Sequence, residues 1–103
     1  MTRQDAGMLR DQVLSTLRDH KPALQERFGV TRLALFGSVA RDAARPDSDV
    51  DVLVSFDGPA TSARYFGLQF YLEDLLGRPV DLVTDKALRE RLRPYVERDA
   101  IVV

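Results

Sequence analysis

The sequence predicts an α/β domain of α+β character, a small mixed β-sheet of at least three strands flanked by about four helices. Three observations predict it. Short apolar runs, RLALF at Arg32 to Phe36, DVDVLVSF at Asp49 to Phe56 and PVDLVT at Pro79 to Thr84, have the length of strands. Segments with helical apolar spacing lie between them, and glycine or proline marks most boundaries. The 103 residues, with no repeat, linker or low-complexity segment, match a single domain over 1–103.

From about Gln4 to His20, Leu9, Val13 and Leu17 recur every four positions with Leu14 alongside, the stripe of an amphipathic helix. Pro22 suits the first position of a second short helix that Gly29 closes, with Leu24 and Phe28 toward the core. His20 then sits at the C-terminal end of the first helix, away from any site. After strand one, SVARDAA reads as a short helix that begins at the Gly37-Ser38 turn. RPDS is a turn cluster in which Asp47 bonds its own backbone.

In strand two, Val50, Val52, Val54 and Phe56 share one face, while Asp49, Asp51, Leu53 and Ser55 share the other. The loop DGPATS leads into a helix from about Ala63 to Leu76, closed by Gly77, whose Phe66, Phe70 and Tyr71 serve as core and partner-facing surface. Strand three sets Val80 and Leu82 against Asp81 and Val83. The last quarter reads as a helix broken at Pro94, with RERLRPYVER a solvated face and AIVV an edge strand or packed tail.

Composition narrows the function. Hydrophobic residues at 45% and charged residues at 30% describe a globular chain that folds. Fifteen basic residues nearly cancel sixteen acidic ones, so no overall positive field is present to hold long nucleic acid. The absence of cysteine excludes disulfides and thiolate zinc sites and suits a reducing compartment. No apolar stretch approaches a signal peptide or a membrane span, so a cytoplasmic location and no membrane partner are expected.

The chemistry is carried by carboxylates. Asp49 and Asp51 lie roughly 6.5–7 Å apart on one strand face, a like-charge pair that costs stability unless a cation offsets it. Mg²⁺ suits such a pair, because it takes a few carboxylates together with waters and substrate phosphate oxygens. Asp81 points the same way from its own strand, so three carboxylates converge if strands two and three are neighbours. The Gly37-Ser38 turn supplies the complementary half, where backbone and the Ser38 hydroxyl can meet a phosphate, and Arg41 adds charge one turn on. An EF-hand begun at Asp47 would need glycine at Val52 and glutamate at Gly58, and neither a P-loop nor a Rossmann glycine pattern follows a strand. An acidic exposed strand end and a plain strand-to-helix turn are the bland alternatives for these residues.

Gly37-Ser38, then Ser48-Asp49-Val50-Asp51, then Asp81 resemble the G-S…D-x-D…D signature of the DNA polymerase β-like nucleotidyltransferase superfamily. The likeness is nearest to its minimal nucleotidyltransferases, the MNT antitoxins of HEPN/MNT toxin–antitoxin pairs, and it covers nearly the whole chain. It implies an ATP-dependent protein adenylyltransferase in which Asp49, Asp51 and Asp81 bind two Mg²⁺ ions. Gly37 and Ser38 would then hold the triphosphate, the same phosphates to which Arg41, from its place one turn into the helix, can add charge. The expected reaction moves AMP from ATP to a hydroxyl, a tyrosine in the family, of a cognate HEPN RNase toxin. The chain departs from the family at Asp42, where glycine commonly follows S-x-A-R. Two rivals stay open: a non-catalytic antitoxin that neutralises by binding alone, and a nucleotidyltransferase for a small-molecule acceptor. A chain of this length leaves little room for an acceptor domain, so the missing wall is expected from the toxin or from a second copy of the chain.

Overall fold

The structure is a computed structural model that describes residues 6–43, 45, 48–87 and 100–103. Its elements run α1 (Ala6–Phe28), β1 (Val30–Phe36), α2 (Gly37–Ala40), β2 (Val50–Phe56), α3 (Ser62–Leu76), β3 (Val80–Thr84), α4 (Asp85–Ala87) and β4 (Ile101–Val102). The four strands form one mixed sheet in the order β3-β2-β1-β4. β1 pairs antiparallel with both β2 and β4, whereas β2 and β3 are parallel and joined through α3. This bears out the predicted fold class. The expectations for Asp47 and for the charge run around Pro94 fall outside the described residues.

Alternation along the strands gives the sheet two unequal faces. Leu33 and Leu35 of β1, Val50, Val52 and Val54 of β2 and Leu82 of β3 are buried under Val13, Leu17 and Leu24 of α1 and Leu68 and Leu72 of α3. The opposite face holds a smaller cluster of Ala34, Phe36 and Leu53 with Val83 and Ala100 against it. Asp51 and Asp81 belong to that second face by register, one step along from Leu53 and Val83.

The predicted break at Pro22 is not found. α1 is one helix of 23 residues with Pro22 inside it, and His20 lies well within the helix, not at its end. A proline there removes one intrahelical hydrogen bond and crowds the carbonyl four residues earlier. Tertiary contacts on both sides outweigh that cost. Leu17 and Leu24, two turns apart, are both fully buried, His20 Nδ1 lies 3.2 Å from the Tyr71 hydroxyl, and Lys21 Nζ donates to the Val103 carbonyl at 2.7 Å. Pro22→Ala is therefore expected to stabilise the chain by about 1–2 kcal/mol, the helix-interior cost less the unfolded-state entropy that proline removes. Denaturant unfolding of the two proteins checks it.

α3 does two things for the sheet. Thr61 caps its start by accepting from Arg64 N–H at 3.2 Å, and Gly77 closes it in the left-handed conformation. Between these ends, side chains spaced four apart cover the free edge of β3. Tyr65 Oη donates to the Leu82 carbonyl at 2.6 Å, Gln69 Nε2 donates to the Val80 carbonyl at 3.0 Å, and Glu73 accepts from Val80 N–H at 3.0 Å. An edge strand left open would be free to slip or to pair with another chain. Pinned in this way, β3 presents Asp81 at a defined register.

Candidate active site

The register brings the predicted residues to one end of the sheet. β1 ends at Phe36, whose cross-strand partner is Asp51, and Gly37 follows at once. β2 and β3 begin together, with Val50 opposite Val80 and Asp51 opposite Asp81. Strands two and three are thus neighbours, and the end of one strand and the starts of two others place Gly37, Ser38, Asp49, Asp51 and Asp81 in one neighbourhood. Asp49 is the exposed residue just before β2, outside the ladder.

Asp51 is strongly perturbed. Its carboxyl is half-buried and pushed up to about 6, first by burial, then by the charges of Asp81 and Asp49, with the hydrogen bond that protonated Asp51 donates to Asp81 adding to the rise. The Arg41 guanidinium acts in the opposite direction, which places its field on the same carboxyl. Burial and the charge of Asp81 likewise raise Tyr65, whose hydroxyl holds the neighbouring Leu82 carbonyl.

Gly37 is required by two separate features. Its φ is +77°, and a methyl group added there would overlap Asp51 Oδ2 and lie 2.8 Å from Asp51 Cγ. The turn and the carboxylate are packed directly on one another. α2 after it is shorter than predicted, four residues (Gly37–Ala40), because Asp42 takes a left-handed φ of 65°. Asp42 N–H donates to the Val39 carbonyl at 3.1 Å and Ala43 N–H to the Ser38 carbonyl at 2.9 Å, which closes the turn. The departure from the family's glycine has a backbone explanation: the position calls for a left-handed residue, and aspartate enters that region more readily than most. Asp42 is also exposed. Asp42→Gly is expected to raise stability by about 0.5–1 kcal/mol and to leave nucleotide affinity within about twofold, which unfolding curves and nucleotide titration check together.

The donor set fits a hard divalent cation. All three acidic side chains offer oxygen, and the acidic charges that add to burial in raising Asp51 are what a divalent charge would offset. Among the described residues no group of three or more His, Cys, Asp or Glu side chains is already disposed as a metal cage. Mg²⁺ does not need one, since it keeps several waters and takes one or two carboxylates alongside substrate phosphates. Arg78, at the entry to β3, borders the site by donating to the Ser48 carbonyl. Sequence reasoning did not select it, and its one signal is a place three positions before Asp81.

Comparison with known proteins shows the family. Residues 17–102 match the nucleotidyltransferase domain family. The chain is 41% identical over 93 residues to the protein adenylyltransferase MntA of Thermococcus cleftensis, covering 90% of this chain and 94% of that one. It is similar to the solved structure of a minimal nucleotidyltransferase at 40% identity and a TM-score of 0.71, covering 98% of both chains. The MNT antitoxin solved with the tri-AMPylated HEPN toxin of Shewanella oneidensis shares the fold at 21% identity and a TM-score of 0.58, with 94% of this chain and 70% of that one covered.

Proposed function

The chain belongs to the nucleotidyltransferase domain family, among the minimal nucleotidyltransferases, and from that premise we propose that it transfers AMP from ATP to a hydroxyl, a tyrosine, of a cognate HEPN toxin and thereby acts as its antitoxin. The observation that carries the reading is the pairing of Asp51 with Asp81 across β2 and β3, directly against the Gly37 turn.

In the proposed reaction the acceptor oxygen bonds to the α-phosphorus of ATP and the bond from that phosphorus to the bridging oxygen breaks, so pyrophosphate leaves. The Gly37-Ser38 turn and Arg41 would hold the triphosphate, with glycine at 37 because an added methyl would overlap the Asp51 carboxylate. Asp81, on edge strand β3 beside β2, would draw the proton from the acceptor hydroxyl. Asp49, Asp51 and Asp81 would hold Mg²⁺, which when bound neutralises charge on the attacking and leaving oxygens. Asp51 must be ionised for that role, and a divalent charge beside it would favour that form.

The partner is supported by the name of the Thermococcus relative and by the toxin-bound neighbours of the same fold. The test is to incubate the chain with ATP, Mg²⁺ and the protein of the adjacent reading frame, then weigh that protein intact. One or more additions of AMP mass, lost in Asp49→Asn and Asp51→Asn, is the expected result. An inhibited but unmodified partner would instead establish neutralisation by binding alone.

A further inference from the structure

The segment that carries Asp49 into β2 is tied to the turn that carries Asp81 into β3 at two points. Val50 N–H donates to the Pro79 carbonyl at 2.9 Å, a backbone bond that does not depend on side-chain identity. Arg78 Nη1 donates to the Ser48 carbonyl at 3.2 Å, a side-chain contact across 30 positions of sequence. Ser48 is held from its other side as well. Its hydroxyl accepts from Arg45 N–H at 2.8 Å, and its own N–H donates to the Arg45 carbonyl at 3.0 Å. The carbonyl that Arg78 grips belongs to the peptide linking Ser48 to Asp49.

Resting on the metal-site reading above, we propose that Arg78 is a positioning residue for that site: by fixing the Ser48–Asp49 peptide it sets the direction of the Asp49 carboxylate relative to Asp51 and Asp81. Asp49 needs such a device. It lies one residue outside the ladder and is exposed, whereas Asp51 and Asp81 are held opposite one another by strand pairing. A ligand on an untethered peptide must lose its freedom each time an ion binds, and groups that hold a ligand in place are worth affinity for that reason. A guanidinium suits the task because it is half-buried here and presents several donors in a fixed plane.

The positioning effect and the charge effect of Arg78 have opposite signs. A positive charge near a cation site repels the ion, so a purely electrostatic arginine would weaken metal binding and its removal would tighten it. A positioning arginine does the reverse.

The experiment measures free Mn²⁺ by electron paramagnetic resonance during titration of the full chain, without nucleotide, for the wild type, Arg78→Met and Arg78→Lys. Arg78→Met is expected to bind Mn²⁺ about tenfold more weakly, Arg78→Lys to recover at least half of that loss on a logarithmic scale, and the metal-free melting temperatures to agree within about 2 °C. Binding by Arg78→Met as tight as the wild type, or tighter, would overturn the proposal. So would a loss that follows the melting temperature downward and is not recovered by lysine. A wild-type chain that binds no Mn²⁺ would overturn the metal-site reading itself, a result distinct from a wild type and a variant that bind alike.

Discussion

Gly37→Ala is expected to abolish AMP transfer while lowering stability by about 2–3 kcal/mol. Two costs contribute, and they separate. Alanine at a φ of +77° carries the left-handed penalty of about 1–2 kcal/mol. Its methyl group also overlaps the Asp51 carboxylate, which must leave the position it holds opposite Asp81, and the loss of function follows from that displacement. Gly77→Ala isolates the first cost, because Gly77 has a nearly equal φ of +68° with nothing within 4 Å of an added methyl. It should lose about 1 kcal/mol and keep full transfer. Denaturant unfolding and initial rates of AMP incorporation for the two variants distinguish backbone strain from crowding of the carboxylate.

Asp51→Asn is expected to reduce transfer by on the order of a thousandfold and yet to stabilise the cation-free chain at pH 7.5. The sign follows from linkage. Asp51 is raised from 3.8 to about 6 in the fold, with burial the largest cause and the charges of Asp81 and Asp49 next. The folded chain therefore holds this proton more tightly than the unfolded chain does. The stability it contributes is fully present below about pH 4 and is lost as pH rises through about 6. Because the group is half-exposed and solvent screens it, the loss is about 1 kcal/mol rather than the full value of the shift. In asparagine that pH-dependent loss disappears. Melting curves at pH 5 and pH 7.5, each with and without Mg²⁺, check it: Mg²⁺ should raise the wild type more at the higher pH and leave Asp51→Asn nearly unmoved.

Much of this site could be read in the sequence because strand alternation is a local rule. Val50, Val52 and Val54 could not be buried without turning Asp51 to the opposite face, and Val80 and Leu82 did the same for Asp81. Period alone did not say that Asp51 and Asp81 pair directly, since that depends on α3 returning the chain parallel to β2 in a particular register. Pro22 misled for a related reason. Its local preference was for a helix start, and the contacts that override it come from Tyr71 and Val103, far away in sequence. The left-handed turn at Asp42 and the grip of Arg78 on Ser48 were hidden because neither residue type announces its backbone angle or its partner. The family resemblance drawn from Gly37-Ser38, Asp49, Asp51 and Asp81 is borne out by the relatives the chain matches.

Which part of ATP reaches the partner decides the account most directly. The chain and the adjacent-frame protein are incubated with Mg²⁺ and ATP labelled on either the α- or the γ-phosphate, and the partner is then separated and counted. Label from the α-phosphate alone, absent when Asp81→Asn replaces the wild type, is the result predicted for a site that moves AMP and releases pyrophosphate. Incorporation of the γ-label, or inhibition of the partner with neither label attached, would contradict it.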